Sequence, residues 1–329
     1  TCKKLVVELG VGTADDVVSV QQLTGGVASD IAMVDLGDRR ICVKFALEKL
    51  KVAEDWHAPV HRNKAEYYWL QVAASVSPET AVKLYGRSET ANGFAMEFLD
   101  GKDVYLWKDA LLDTAPDKGE ASTVGEVLGK IHAVSALANF DSSPFQNRDD
   151  FRALRLEPYL NFTATRHPNL AKQLNGLADN LYDANDVLIH GDVSPKNILF
   201  RSGRPIILDA ECATMGDASF DVAFCLNHLV LKAVHMPASR KALLAAVTDF
   251  WKSYKLHVDW ENIGKLEARI CALLPALMLA RIDGKSPVEY LSDANQHKVR
   301  DFAVRLIVNP VPNLASFLDI LALNLKENQ

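Results

Sequence analysis

A polar loop bounded by apolar runs is the feature that most constrains the fold. The apolar run 187–189 leads into the loop HGDVSPKN (190–197), which is followed by a second apolar run, 198–200. A third run, 205–208, ends at Asp209. Short apolar runs bounded by polar residues, glycine or proline predict buried strands, and catalytic groups are commonly held on loops anchored by such strands. The pattern therefore predicts a polar loop and a strand-terminal carboxylate beside a buried core.

Three polar residues in this pattern have the chemistry that phosphoryl transfer requires. That reaction depends on positioning and charge neutralisation more than on covalent chemistry. Magnesium prefers oxygen ligands, so Asp209 would supply an anionic ligand and Asn197 a neutral carbonyl oxygen. Asp192 would accept a hydrogen bond from the hydroxyl of an acceptor and orient it for in-line attack. We therefore predict Asp192 as the base, and Asn197 and Asp209 as metal ligands.

Lys44 is the candidate for a cation that contacts nucleotide phosphates. It lies in the apolar run 40–46, and taken alone it is better explained as a lysine that points to solvent. Glu66, in a following segment with helical spacing, could pair with Lys44 and aim its ammonium group at the phosphates. Glu48 and Glu54 are alternative partners for the same lysine.

A glycine pair, Gly25-Gly26, lies upstream of Lys44 and is followed by Ser29. One interpretation is an ordinary hairpin turn. The other is a loop whose N–H groups, with Ser29, approach phosphates, because glycine lets the backbone come close to a ligand. Five features follow one another along the chain: the glycine turn, the strand lysine, the helix glutamate, the polar loop and the strand-terminal aspartate. Chance would rarely produce all five together. This combination favours the phosphate-binding interpretation.

The rest of the chain divides by its periodicity. Residues 60–76 carry apolar residues at helical spacing, and helical patterns dominate after residue 99. Within the second part, the stretch 139–168 is aperiodic and contains prolines. Apolar or alternating runs predict five strands over 16–23, 30–37, 40–46, 81–87 and 93–99. We therefore predict an α+β fold, with a five-stranded antiparallel sheet and one helix in 1–98 and a larger, mainly helical part in 99–329.

Composition argues against several classes of protein. The chain has 36 basic and 42 acidic residues, a net charge of −6, which does not favour a nucleic-acid partner. The five cysteines form no C-x-x-C pair and indicate free thiols in a reducing compartment. No apolar run reaches the roughly 18 residues of a membrane helix, and the first residues lack the apolar core of a signal peptide. We expect a cytoplasmic enzyme without a membrane partner; its oligomeric state is open.

The sequence resembles the aminoglycoside phosphotransferase and choline kinase family, whose bilobal fold is similar to that of eukaryotic protein kinases. The resemblance extends over roughly residues 16–290. Its most specific segments are HGDVSPKN (190–197), ILDAE (207–211) and GDASFDVA (216–223), with support from LTGGVAS (23–29), VKF (43–45) and MEFLDG (96–101).

The resemblance implies a kinase that uses ATP, or GTP, with Mg²⁺ and phosphorylates a hydroxyl group of a small molecule. It implies that Asp192 is the base, that Asn197 and Asp209 bind the metal, and that Lys44 contacts the α- and β-phosphates. This assignment agrees with the roles that the residue types suggest on their own.

The resemblance also implies roles for residues around the cleft. The backbone of Glu97, Phe98 and Leu99 would form the hinge that holds adenine. His190 and Asp221 would hold the catalytic loop in place. For Asp221, a charge that stabilises a helix N-terminus is an equally good interpretation.

Departures from the protein-kinase pattern favour a small acceptor. Gly191 and Ser194 stand where protein kinases have arginine and lysine, and Ala210-Glu211 follows Asp209 in place of Phe-Gly. An active small-molecule kinase is therefore the leading hypothesis, and a protein kinase is an alternative. A non-catalytic nucleotide-binding module is the other alternative, although no metal ligand is missing here.

The acceptor itself is less constrained. Acidic and aromatic residues would suit a cationic acceptor such as an amino sugar or amino alcohol. The candidates are Glu211, Asp217, Asp283, Glu289, Trp107 and Tyr105. Taken singly, each acid is better explained as a helix cap or a solvent-facing group. Arg281 and Lys285 would suit an anionic acceptor instead. The sequence leaves the charge of the acceptor undecided.

Overall fold

The N-terminal lobe is built on a five-stranded antiparallel sheet. The computed structural model of the chain describes residues 1–23, 29–49, 59–60, 62–113 and 117–326. The strands are β1 (Ser19–Gln22), β2 (Ser29–Asp35), β3 (Arg40–Ala46), β4 (Leu84–Ser88) and β5 (Gly93–Glu97). Their order in the sheet is β1-β2-β3-β5-β4, so β3 lies in the middle. The predicted five-stranded sheet is confirmed.

In the described part of residues 1–98, two α-helices accompany this sheet, one more than the sequence predicted. The expected helix is α2 (Arg62–Val76), which follows β3 in the chain, and the additional one is α1 (Cys2–Glu8). Leu5 and Val6 of α1 join a small core with sheet residues such as Val34. A seven-residue helix is shorter than the window over which helical periodicity can be recognised, which explains why the pattern did not reveal α1.

Two small sheets in the C-terminal lobe position the polar loop. Their strands are β6 (Val104–Leu106), β7 (Val187–Ile189), β8 (Ile198–Arg201), β9 (Arg204–Ile207) and β10 (Thr214–Gly216). Strands β6, β8 and β9 form one sheet, and β7 pairs with β10 in the other. The polar loop connects β7 to β8 and Asp209 follows β9, so both are anchored by buried strands as predicted.

The remainder of this lobe is mainly helical, as predicted. Its helices are α3 (Trp107–Ala110), α4 (Glu120–Ser135), α5 (Arg148–Phe151), α6 (Phe162–Arg166), α7 (Ala171–Asp183), α8 (Ala218–His235), α9 (Arg240–Tyr254), α10 (Ile263–Asp283), α11 (Asp293–Val308) and α12 (Leu314–Lys326). Short 3₁₀ turns cover Pro78–Thr80, Ser143–Phe145, Pro168–Leu170, Pro195–Asn197 and Lys255–His257. Among the described residues, none of these helices has the combination of length and apolar surface that a membrane span requires.

Helix α8 is the central element of the lobe. Every residue from Ala218 to Val234 is buried, and α8 packs against α9 and α10. A helix that is buried all round is expected to be apolar all round. Asp221, His228 and Lys232 are therefore polar groups inside a core, where each requires a partner.

Most of the stretch that lacked periodicity in the sequence is helical in the structure, over residues 148–166. Helix α5 continues directly into the π-helix Arg152–Asn161 and then into α6. A π-helix has a wider turn than an α-helix, so its side chains do not repeat with the 3.6-residue period on which the sequence analysis relied. Pro158 lies inside this segment. The π-helix carries Arg155 and Tyr159, and Arg155 contacts the polar loop.

Candidate active site

The polar loop is fixed at its start by Asp221. The buried carboxylate of Asp221 accepts hydrogen bonds from the backbone N–H groups of His190, at 2.6 Å, and Gly191, at 2.8 Å. His132 Nε2 lies 3.3 Å from the same carboxylate. Asp221 belongs to the first turn of α8. It therefore satisfies both descriptions suggested by the sequence, because it lies at a helix N-terminus and bonds to the loop.

His190 links the loop to the end of β9. Its Nδ1 accepts a hydrogen bond from the Asp192 N–H at 3.1 Å, so the ring proton is on Nε2 and is donated to Leu208 O, also at 3.1 Å. Burial lowers the pKa of His190, which keeps the ring neutral near pH 7. Trp69 of α2 packs edge-on against the imidazole, with ring centroids 4.7 Å apart. The buried His190 side chain thus connects the two predicted catalytic segments through hydrogen bonds.

Gly191 has no space for a side chain. Its backbone is left-handed, with φ of +80°, and an added Cβ would lie 2.7 Å from Cys212 Cβ. The carbonyl oxygen of Cys212 would be 3.0 Å away. This close packing gives a physical reason why this chain cannot carry the arginine that protein kinases have at this position.

We expect Gly191→Ala to lower the free energy of unfolding by about 2–5 kcal/mol. The left-handed backbone should cost roughly 1–2 kcal/mol and the overpacking against Cys212 roughly 1–3 kcal/mol. The control is Gly203→Ala, where φ is +75° but no atom lies within 4 Å of the new Cβ. Equilibrium denaturation of both variants separates the cost of the left-handed backbone from the cost of overpacking. Equal losses in the two variants would contradict the packing argument.

Asp192 is held by two cations. Its Oδ2 lies 2.8 Å from Arg155 Nη2 and 3.4 Å from Lys196 Nζ. Arg155 Nε also donates to Gly191 O at 2.6 Å, so one guanidinium fixes both the backbone and the carboxylate of the loop. Burial alone would raise the pKa of Asp192, but Arg155 and Lys196 outweigh burial and hold the pKa below its ordinary value. The carboxylate is therefore ionised and able to accept a proton.

Arg155 was not identified from the sequence. It lies in the aperiodic stretch, far along the chain from Asp192, and no motif surrounds it. Its only recognisable signal is a position just before Pro158, in a segment where helical periodicity fails. Segments of π-helix are frequent at functional sites.

Asn197 and Asp209 lie on either side of β8 and β9. The amide nitrogen of Asn197 donates to Asp192 O at 3.1 Å, which leaves its side-chain oxygen as the end available to a metal. The Leu208 N–H donates to Asn197 O at 2.8 Å and brings Asp209 next to it. Asp209 has a left-handed backbone, with φ of 70°, which is rare for a residue other than glycine. Burial opposes ionisation of Asp209, but Lys44 and Lys196 hold its pKa well below the ordinary value.

Lys44 is buried and does not point to solvent. Its side chain is 3% exposed, and its Nζ lies 2.8 Å from Glu66 Oε1 and 3.1 Å from Glu211 Oε1. The same ammonium also contacts Asp209. Burial opposes the charge, but the three carboxylates hold the pKa of Lys44 well above its ordinary value. Glu66 is thus the partner of Lys44; Glu48 is exposed, and Glu54 lies outside the described residues.

Glu211 belongs to the cluster around Lys44. Its Oε2 accepts a hydrogen bond from Arg62 Nε at 2.8 Å, and its Oε1 accepts one from Ser29 Oγ. Arg62, on α2, is fully buried and was not identified from the sequence. The sequence feature that could have revealed Arg62 is its position one helical turn before Glu66. Ser29 lies at the start of β2, whereas Gly25 and Gly26 lie outside the described residues.

Three carboxylates of this cluster could hold a cation. Oxygen atoms of Glu66, Asp209 and Glu211 lie within 4.8 Å of one another. Burial raises the pKa of Glu66 to about 8, despite the opposing effect of Lys44. A set of oxygen ligands is the donor type that Mg²⁺ prefers. The cluster therefore has the donor type that suits a divalent ion, and in this structure the Lys44 ammonium contacts all three carboxylates.

The segment after β5 connects the two lobes. Glu97 Oε1 pairs with Arg201 Nη1 of β8 at 2.7 Å, so this side chain ties the end of the upper sheet to the lower lobe. Phe98 lies under the guanidinium of Arg40, 5.7 Å from the ring centroid. Phe98 and Leu99 are partly buried against the main core. The location is that expected of a hinge.

Three predicted acceptor residues have other roles in the structure. Trp107 is fully buried and packs edge-on against Phe200, 6.2 Å between ring centroids, so it belongs to the core. Asp217 caps α8 and is bonded by both Nε and Nη2 of Arg269, at 2.8 and 3.0 Å. Asp283 is bonded in the same way by Arg300, with both distances 2.8 Å. Neither carboxylate is available to a cationic acceptor.

Arg281 contacts the π-helix that carries Arg155. Its Nη1 is 3.3 Å from the hydroxyl of Tyr159 and 2.8 Å from Ser286 Oγ. Tyr159 lies on the π-helix that carries Arg155. Of the acceptor candidates from the sequence, Arg281 is thus connected to the residues around Asp192 through a single side chain.

Comparison with known sequences identifies the family. Residues 19–257, well over half of the chain, match the profile of the Phosphotransferase enzyme family. The chain belongs to this family. The phosphotransferase is also 25% identical to methylthioribose kinase from Pectobacterium atrosepticum over 298 residues, which are 74% of this chain and 73% of that protein. The predicted class of enzyme, a kinase acting on a small-molecule hydroxyl, is confirmed.

Solved structures of other kinases share the fold of this phosphotransferase. Ethanolamine kinase from Plasmodium vivax superposes with a TM-score of 0.57 at 14% identity, covering 93% of this chain and 88% of that one. Choline kinase from Streptococcus pneumoniae gives 0.51 at 17% identity, covering 94% and 99%. Amicoumacin kinase, solved with AMP-PNP and Ca²⁺, gives 0.56 at 13% identity and covers 91% of each chain. The predicted protein-kinase-like fold is confirmed.

Proposed function

We propose that this phosphotransferase moves the γ-phosphoryl group of ATP to a hydroxyl group of a small molecule, with Asp192 as the base. The observation that carries the proposal is the buried Asp192 carboxylate, which Arg155 keeps ionised and in a fixed orientation. An ionised, preorganised carboxylate can accept the proton of an attacking hydroxyl without first losing one of its own. Its loop is bonded directly to the segment that bears Asn197 and Asp209.

The nucleotide would lie between the lobes, bound by residues 1–98 above and by the catalytic loop of 99–329 below. Lys44, aimed by Glu66, would contact the phosphates, and the glycine turn at Gly25 and Gly26 would cover them. The backbone of 97–99 would hold the adenine. The burial and charge of Lys44 support this placement, because an immobilised ammonium group is what phosphate positioning requires.

A Mg²⁺ ion would be held by Asn197 and Asp209. When bound, such an ion neutralises charge on the phosphate oxygens. Glu211 is a further candidate ligand, because its carboxylate lies beside that of Asp209. The carbonyl oxygen of Asn197 and the ionised Asp209 are hard ligands of the type that suits this ion.

The direct test is ATP-dependent phosphorylation of a panel of hydroxylated sugars, amino alcohols and nucleosides in the presence of Mg²⁺. Methylthioribose belongs in the panel because a relative is a methylthioribose kinase. ADP release and the mass of the phosphorylated product are the measurements, with GTP run in parallel. Nucleotide binding without turnover on any acceptor would favour a non-catalytic module. Label transferred to proteins and to no small molecule would favour a protein kinase.

A further inference from the structure

Lys232 is a buried cation without an anionic partner. It lies on the central helix α8, its residue is 2% exposed, and none of the described carboxylates pairs with its ammonium group. Its described contact is with the face of Tyr290, 5.5 Å from the ring centroid. Placing an ammonium group in a protein interior costs several kcal/mol unless an opposite charge compensates it. A ligand that brings negative charge would remove that cost.

His228 lies one helical turn before Lys232 on α8, and Arg281 lies on α10, which packs against α8. Arg281 reaches the hydroxyl of Tyr159, whose ring centroid is 5.5 Å from that of Phe224, and the Phe224 ring is in turn 5.5 Å from that of His228. We call Lys232, His228 and Arg281 the Lys232 cluster. Packing of α8 against α10 therefore places two cations and an imidazole in this part of the lobe.

The electrostatics of the Lys232 cluster are those of a site that lacks an anion. Burial, together with the charges of Lys108 and Arg281, lowers the pKa of Lys232 to about 8. Burial and the surrounding cations, with Arg281 the first of them, likewise hold the pKa of His228 well below its ordinary value. A neighbouring carboxylate would have acted in the opposite direction.

Hydrogen-bond donors at this place are also left unsatisfied. Arg281 Nε and the hydroxyl of Tyr290 are both buried, and neither has a hydrogen-bond partner among the described residues. Buried polar atoms are paired in the great majority of cases, so two such atoms beside an unpaired ammonium indicate a missing acceptor. Guanidinium, ammonium and hydroxyl donors are together the set that binds a carboxylate or a phosphate.

The Lys232 cluster borders the catalytic loop. Tyr159, which Arg281 contacts, lies one turn from Arg155 on the π-helix, and Arg155 bonds to Asp192. Lys196 lies 3.4 Å from Asp192, and its charge also acts on His228. Tyr159 and Lys196 therefore connect the cluster to the surroundings of Asp192.

We propose that the Lys232 cluster binds an anionic group of the acceptor, a carboxylate or a phosphate ester, while Asp192 receives the proton of the acceptor hydroxyl. This inference rests on the proposed kinase function and assigns the charge that the sequence left undecided. The acidic residues that would have suited a cationic acceptor support it, because Glu211, Asp217 and Asp283 are each paired with a cation.

The first experiment compares acceptors that differ in one group. Glucuronate, glucose 6-phosphate, glucose and glucosamine form one series; glycerate, glycerol 3-phosphate, glycerol and 3-aminopropane-1,2-diol form another. Thermal unfolding is measured with saturating AMP-PNP and Mg²⁺, so that the nucleotide site is occupied. We expect anionic members of a series to raise Tm by about 2 °C or more above the neutral and cationic members. The carboxylate and phosphate arms distinguish the two kinds of anion. A larger shift with the amines, or no shift with any anion, would overturn the proposal.

The second experiment uses Lys232→Met. Without acceptor, this variant should unfold about 2–4 °C above the unmodified protein, because it removes an uncompensated buried charge. With an anionic acceptor, its Tm shift should disappear and the KM for that acceptor should rise tenfold or more. Lys241→Met, on the exposed side of α9, is the control and should change none of these values. A fall in Tm without acceptor would instead identify Lys232 as a structural residue and overturn the proposal.

The two experiments separate this inference from the proposed function. If the protein phosphorylates neutral or cationic acceptors and Lys232→Met leaves their KM unchanged, the kinase assignment holds and the anionic acceptor is wrong. If no acceptor of either series or of the wider panel is phosphorylated but Lys232→Met still abolishes an anion-dependent Tm shift, the anion site holds and the kinase assignment fails.

Discussion

Replacing Asp192 by asparagine is expected to lower the turnover number about 10²- to 10⁴-fold. The amide keeps the shape of the carboxylate but cannot take a proton from the acceptor hydroxyl, and general base catalysis contributes a factor of that size. The fold should be retained, because Arg155 still donates to Gly191 O and Asp221 still holds the start of the loop. Steady-state ADP release measures turnover, and calorimetric titration measures the affinity for a non-hydrolysable ATP analogue.

The affinity for the nucleotide decides how the Asp192→Asn result is interpreted. We expect it to change little, because Asp192 contacts Arg155 and Lys196 and not the cluster around Lys44. Asp179→Asn, on the exposed surface of α7, is the matched control and should behave as the unmodified protein. Full turnover in Asp192→Asn would show that this residue is not the base. An equal loss of turnover and of nucleotide affinity would assign it to nucleotide binding instead.

Replacing Lys44 by methionine is expected to lower the free energy of unfolding by about 3–5 kcal/mol. Removing one partner of a buried ion pair leaves uncompensated charge, and here the carboxylates of Glu66, Asp209 and Glu211 all lose the same cation. Lys44 lowers the pKa of Glu66, which burial raises to about 8, so this pKa should rise further in the variant. Urea denaturation measures the loss of stability, and ATP affinity should fall in the same variant.

Divalent cations provide a further check on Lys44→Met. With the ammonium gone, the three carboxylates form an oxygen-rich group that should bind Mg²⁺, so millimolar Mg²⁺ should stabilise this variant more than the unmodified protein. A double variant, Lys44→Met with Glu66→Gln, should recover part of the lost stability, because the two residues interact directly. The control is Lys64→Met, an exposed residue of α2. Unchanged stability in Lys44→Met would show that Lys44 does not hold the carboxylates together.

The strands around the catalytic loop could be located from the sequence because each is a short apolar run bounded by polar residues. Chain order alone then placed Asp192, Asn197 and Asp209 on neighbouring loops. The orientation of Lys44 could not be derived in this way, because a lysine within an apolar run is compatible with either face of the sheet. Its burial follows from the position of β3 between β2 and β5, with α2 packed over it, which is a property of the whole lobe.

The residues that the sequence analysis missed depend on contacts between distant parts of the chain. Arg155 meets Asp192, and Arg62 meets Glu211, across long stretches of sequence with no local pattern. Glu211 was predicted to suit a cationic acceptor because it is acidic. In the structure its carboxylate contacts Lys44 and Arg62 of the N-terminal lobe. Aromatic character alone could not reveal that Trp107 is a core residue.

The π-helix that presents Arg155 makes the chain sensitive to changes of length at this place. A π-helix has i→i+5 hydrogen bonds and an α-helix has i→i+4 hydrogen bonds, so converting Arg152–Asn161 to α-helical geometry, or changing its length, would rotate its two ends relative to each other. Arg155 would then swing away from Asp192 while Phe162 and its neighbours kept their packing. Insertions and deletions, which surface loops accept readily, should therefore be selected against in this segment, although nothing in its composition marks it as a motif.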